Sequence, residues 1–173
     1  MNYQDKPSKF TWESLGNVVE GRQNLGQDMP VIVYRLFQYS IKDVLTREYD
    51  EETVRELFRA AGHLSGIALS ENVLDMSGDF DFFIKNLQNQ LEDLKVGILR
   101  IEKADLEKLS FTLTVSEDLD CSGLPITDDT VCDYDEGFIA GILEAYTGKQ
   151  FKVNEIDCWA TGDRTCRFTA KVV

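Results

Sequence analysis

The stretch EIDCWATGDRTCRF, residues 155–168, sets Cys158 and Cys166 on either side of a Thr-Gly-Asp turn, with Glu155 three positions before the first thiol. Residues of these types at this spacing suit a redox pair, two buried apolar thiols, or part of a metal site. A turn of odd length centred on Gly162 puts Cys158 opposite Cys166 on one sheet face. Their Cβ atoms are then about 4.5–5.5 Å apart, and both sulfurs reach one metal. A two-residue Gly162-Asp163 turn would shift the register and part them. In a regular strand Glu155 faces away from Cys158, so it joins the site only through a bulge near Ile156–Asp157. Cys132 stands at the start of a helical segment, where the macrodipole favours a thiolate. Three thiolates and one carboxylate close a tetrahedron of the structural-zinc kind and leave no position open for a substrate. Buried free cysteine is common in ordinary cores, and the spacing is not the paired Cys-x2-Cys form, so residue types alone leave both readings open.

Little else in the chain has the form of a catalytic group. His63 is the sole histidine, in a segment of small residues, and reads as packing or solvated. Cys121 has no place in the four-residue pattern and reads as a spare thiol. Asp128, Asp129, Asp133, Asp135 and Glu136 form an acidic cluster that is expected to be mostly solvated surface, some of it favouring a helix N-terminus. Trp159 lies either beside the metal or over the sheet. There is no GxGxxG or P-loop to bind a nucleotide, and no constellation of acid, base and nucleophile. The chain reads as a binding protein more readily than as an enzyme.

These residues need elements to hold them. Pro30 opens a helical run whose apolar positions, Val31 to Leu45, cover most of its circumference, as in a helix buried on several sides or lining an apolar space. Asp50 reads as the N-cap of a second helix and DMSGD (75–79) as a break. Phe80, Phe83, Ile84, Leu87 and Leu91 give a third helix at three-to-four spacing. The period then changes to two through Ile98–Val115, a hairpin turning near Lys103–Leu106. A fourth helix runs from Cys132 to a stop at Gly148, and a second hairpin closes the chain. This order predicts an α+β fold, about four helices on an antiparallel sheet made of two hairpins. Residues 1–28 read as an N-terminal extension that could take part in a dimer, and 29–173 as one ligand-binding domain. Tyr34, Phe37, Phe83, Leu87, Phe111, Leu113, Phe138 and Ile142 fall on inward faces and are the candidate walls of an apolar pocket. Gly137 and Gly141, four apart, suggest close approach to another helix or to a ligand.

Eighteen basic residues against thirty-one acidic ones leave a net charge of −13, which disfavours nucleic acid and anionic membrane surfaces. No run reaches the ~18 apolar residues of a membrane span, and the opening residues have no signal-peptide pattern. The cytoplasm is the expected location.

CDYDEGFIAGILEAYTGK followed by VNEIDCWATGDRTCRF resembles the 4-vinyl reductase domain family: a cysteine before a glycine-containing helix, then Glu-x2-Cys-x7-Cys. Weaker likeness extends through PVIVYRLFQYSIKDVL and ELFRAAGHLSG. The resemblance implies a structural zinc on Cys132, Glu155, Cys158 and Cys166, an apolar cavity for an aromatic or acyl molecule, and a homodimer. Related domains sense aromatics in bacterial activators or hold acyl chains in trafficking subunits. The family name implies the alternative, a reductase or accessory subunit acting on a tetrapyrrole-type vinyl group.

Overall fold

A computed structural model describes residues 7–173, so the first six residues of the expected extension lie outside the described part. Its helices are α1 (Val18–Gly21), α2 (Val31–Glu48), α3 (Glu51–Val73), α4 (Phe80–Asp93) and α5 (Asp133–Thr147). Strands β1 (Ile98–Asp105), β2 (Ser110–Ser116), β3 (Phe151–Asp157) and β4 (Cys166–Val172) form one antiparallel sheet in the order β1-β2-β4-β3. The two hairpins therefore lie side by side, joined where β2 pairs with β4. The fold is α+β, as the change of period predicts.

Local chemistry explains the boundaries. The Asp50 carboxylate accepts the Thr53 N–H at 2.9 Å and starts α3; Asp79 does the same for α4 through Phe82 at 3.0 Å. Gly148, at φ 69°, ends α5 in the left-handed region. Phe83, Ile84, Leu87 and Leu91 of α4 are buried against Phe111, Leu113 and Val115 of β2. The first hairpin turns later than expected. β1 continues to Asp105, whose carboxylate accepts the Lys108 N–H at 3.0 Å, and Leu109 takes a positive φ of 47°. A bulge between Ile101 and Lys103 hides the longer strand from a strict period of two. The single helix expected near Thr11–Val19 is a 3-10 turn, Trp12–Leu15, followed by the short α1.

Helix α3 lies directly on α5, and the two run in the same direction. A Cβ on Gly62 would fall inside contact distance of the Tyr134 carbonyl, and one on Gly137 inside that of Arg59. Gly66 and Gly141 continue the pattern one turn on, against Phe138 and His63. The glycine pair of α5 thus meets another helix, with backbone against backbone.

Helix α2 departs from its sequence pattern. None of its residues is buried, and Leu36 and Phe37 are 65% and 67% exposed. It is held by its polar face. Tyr34 and Gln38 donate to the Asp120 carboxylate at 2.8 and 2.6 Å, Tyr39 to the Asp120 carbonyl at 3.0 Å, and Arg35 to the Leu119 carbonyl at 2.8 Å. The apolar residues occupy the rest of its circumference and face outward.

Candidate functional site

Four thiols meet where the second hairpin, the start of α5 and the β2–α5 loop converge. Cys132 is the N-cap residue of α5, Cys158 follows β3, and Cys166 opens β4. The register shift between Glu155 and Asp157 is the bulge that lets Glu155 and Cys158 both face inward, with Ile156 turned out. The fourth thiol is Cys121. The Asp118 carboxylate accepts the N–H of Asp120 at 2.8 Å and of Cys121 at 3.1 Å, folding the loop so that Cys121 turns inward. All four cysteines are reduced and at most 1% exposed, with their sulfurs within 4.8 Å of one another. Cys121 is therefore no spare thiol. Spacing gave no sign of it, because a loop residue's direction depends on side-chain contacts and not on a period.

The donor set suits a tetrahedral metal. A Zn–S bond of about 2.3 Å sets sulfurs roughly 3.8 Å apart. Cys132 lies 3.8 Å from Cys158 and 3.9 Å from Cys166, while Cys121 and Cys166 stand closer, at 3.0 Å. Hydrogen bonds from Cys121, Cys132 and Cys166 hold the Cys158 thiol below its ordinary value, as a shared thiolate would be. Glu155 stands beside this group. Its Oε2 accepts the Cys132 N–H at 3.1 Å, and its Oε1 is buried without a partner. Burial, then the neighbouring Cys158, pushes its carboxyl up to about 8.

The acidic cluster is mostly interior and not a solvated surface. Asp133 pairs with Lys42 at 3.0 Å and Arg59 at 3.4 Å. Glu136 pairs with Arg59 at 2.6 Å and accepts the Glu155 N–H at 2.6 Å. Asp128 and Asp129 alone of the five are exposed. Asp135 is different: it is buried, and its Oδ2 has no partner. Burial, reinforced by Asp118 and Asp120, holds its carboxyl well above the usual range. Burial and then Asp120 push Asp118 up to about 6.

Beside these carboxylates a cavity of about 40 Å³ lies between α4, α5 and the first hairpin. Leu87, Phe111, Leu113, Phe138 and Ile142 line it, five of the eight expected residues. Phe83 packs behind the wall, stacked on Tyr146 with ring centroids 4.0 Å apart. Tyr34 and Phe37 are elsewhere: Tyr34 bonds Asp120, and Phe37 points off the outer face of α2. Period identified their helix but not which side of it met the body of the protein. Asp118 and Asp135, absent from the expected set, give the cavity a polar end. His63 pairs with Glu144 at 2.9 Å, and Trp159 donates to the Leu124 carbonyl at 3.0 Å.

Residues 111–172 match the family model of the 4-vinyl reductase domain, the stretch that holds the cysteine and glycine patterns. An uncharacterised protein of Methanocaldococcus jannaschii is 27% identical over 154 residues, covering 87% of this chain and 83% of its own length. Another from the same organism is 31% identical over 133 residues, and there the match spans 76% of this chain and 51% of the relative. Among solved structures, a vinyl-4-reductase family protein of Methanocaldococcus jannaschii superposes with a TM-score of 0.61 at 19% identity, covering 96% and 99% of the two chains. The phenol-responsive sensory domain of the transcription activator PoxR, solved with phenol, gives 0.66 at 19%, over 83% and 75%. A trafficking protein particle complex subunit 3 from Naegleria fowleri, covalently bound to palmitic acid, gives 0.65 at 11%, over 83% and 95%. The likenesses to solved structures concern the fold.

Proposed function

We propose that this chain is a binding or sensor module for a small apolar molecule, built around a structural zinc. The observation that carries the binding reading is the cavity itself: an apolar space walled by two helices and a hairpin, in a fold like that of a phenol-bound sensory domain and a palmitate-bound subunit. Such walls lose water when filled, a gain of roughly 25 cal/mol per Å2 of apolar area before ordering costs. The metal reading is supported by four buried thiols at tetrahedral spacing. Cys121, Cys132, Cys158 and Cys166 would hold the ion. Glu155 would brace Cys132 through its N–H, and it is the alternative fourth ligand in place of Cys121. The ion's part would be to cross-link the loop, α5 and the second hairpin.

The test is native mass spectrometry of protein made in its own host, with thermal-shift screening of phenols, simple aromatics and fatty acids. The expected result is a bound apolar molecule or a stabilising aromatic or acyl compound. Leu113→Trp and Ile142→Phe should each abolish that uptake and leave zinc content unchanged. No stabilisation by any compound, with an apolar extract containing nothing, would refute the binding reading. Elemental analysis finding no metal in protein purified without chelator would refute the zinc.

A further inference from the structure

The polar end of the cavity holds a carboxylate that the fold leaves unsatisfied. Of the three acids in the first turn of α5, Asp133 and Glu136 each have cationic partners, and Asp135 has none among the described residues. Asp135 is 8% exposed, lines the cavity, and its buried Oδ2 accepts no hydrogen bond. Burying a carboxylate without a partner is costly on general grounds, and the core around it is otherwise well satisfied. Asp118 lines the same end, and carboxylate oxygens of the two residues lie within 4.8 Å of each other. The nearby cations are engaged elsewhere: Arg35 on the Leu119 carbonyl, and Lys42 and Arg59 on Asp133.

We propose that the cavity's ligand is an apolar amine, its aryl or alkyl body against Leu87, Leu113 and Ile142 and its primary ammonium on the carboxylates of Asp135 and Asp118. The inference rests on the cavity-binding reading above and specifies its ligand class. A nitrogen about 2.8 Å from an oxygen of each carboxylate fits between two oxygens at this separation. A primary ammonium carries three donors and one positive charge. It therefore supplies both things the polar end lacks. A plain hydrocarbon supplies neither, and a phenol or alcohol supplies one donor without the charge. A buried acceptor left unpaired rejects the ligand that cannot donate to it, so Asp135 is a specificity residue and not merely a wall.

The test compares benzylamine, benzyl alcohol and toluene, matched in body, by calorimetric titration of the full zinc-loaded chain. Benzylamine is expected to bind about tenfold tighter or more than toluene, the worth of one charge-assisted hydrogen bond. Asp135→Asn should reduce that preference to within about twofold while toluene still binds. Toluene and benzylamine binding equally to the wild-type protein, or a preference that survives Asp135→Asn, would overturn the amine assignment alone. Binding of none of the three would overturn the assignment, and repeated failure with longer amines and hydrocarbons would also count against the cavity as a binding site. If the Asn variant does not fold, the wild-type ranking decides. Loss of one metal equivalent in Asp135→Asn, with no amine preference in the wild type, would reassign these acids to a second cation and overturn the proposal.

Discussion

At the scale of single residues, Cys121 and Glu155 divide the work around the thiols differently from what spacing implies. Cys121 lies within the four-sulfur group, and Glu155 bonds the backbone of Cys132. Cys121→Ser is therefore expected to lose zinc and more than about 3 kcal/mol of stability, as removal of a structural metal does. Glu155→Gln should keep its zinc and lose less. Zinc content and melting temperature of the two variants check this; a Cys121→Ser protein with full zinc and unchanged melting would restore Glu155 as the fourth ligand. The buried acids set a pH dependence for protein stripped of metal. Asp118 and Glu155 have carboxyls raised to about 6 and about 8, so the folded state holds protons that the unfolded chain releases. Their contribution is complete below about pH 4 and is lost as pH rises through 6 and then 8. A fall of roughly 1–3 kcal/mol between pH 5 and 8 is expected from denaturant titration of the wild type, and it should shrink in Asp118→Asn. A stability that rises over that interval would contradict it.

At the scale of elements, the most exacting contact is α3 on α5. Gly62, Gly66, Gly137 and Gly141 bring two backbones together, and a Cβ at any of them meets a carbonyl that belongs to the partner helix and has nowhere to move. Gly137→Ala is expected to cost about 2–4 kcal/mol, although alanine favours an isolated helix, because overpacking outweighs propensity. Gly123→Ala, in open space, serves as the loop control, its own cost coming from a φ of 91°. Equal melting of Gly137→Ala and wild type would remove the interlock. The spacing of Gly137 and Gly141 made such an approach legible in the sequence, though not its partner. Helix and strand order were equally legible, because apolar period, the Asp50 cap and the Gly148 stop are local signals. The β1 bulge, the inward turn of Cys121 and the polar docking of α2 were not. Each depends on contacts beyond the local pattern: Asp120, for example, is met by Tyr34 and Gln38, far away in sequence.

At the scale of the whole molecule, the outward apolar face of α2 is the largest unexplained surface. Val31, Ile32, Val33, Leu36, Phe37, Ile41 and Val44 are all exposed along it, and Phe10, Trp12 and Leu15 of the preceding segment are exposed too. Contiguous apolar surface of this kind marks an interface on a soluble protein. A second copy of the chain is the expected occupant, which would bring α2 the burial its pattern predicts. Light scattering at micromolar concentration should return twice the 19.7 kDa chain mass, and Leu36→Glu with Phe37→Glu should return it once. A monomeric wild type would refute the dimer. Among the described residues no helix is long and apolar enough to cross a membrane.

The glycine interlock also orders events in time. Gly137 is made about 75 residues after Gly62, so at ~5–20 residues per second α3 exists for roughly 4–15 s before its partner surface has been synthesised. In that interval α4 and the β1–β2 hairpin, whose contacts are local, are complete. The closure of α3 on α5 must span a long loop and is expected to come late. Pulsed hydrogen exchange during refolding should protect β1 and β2 before the middle of α3, and simultaneous protection would contradict that sequence. Nascent α3 meanwhile presents a strip of glycine and alanine instead of large apolar side chains, so the segment that must wait longest for its partner is also one with little to aggregate through.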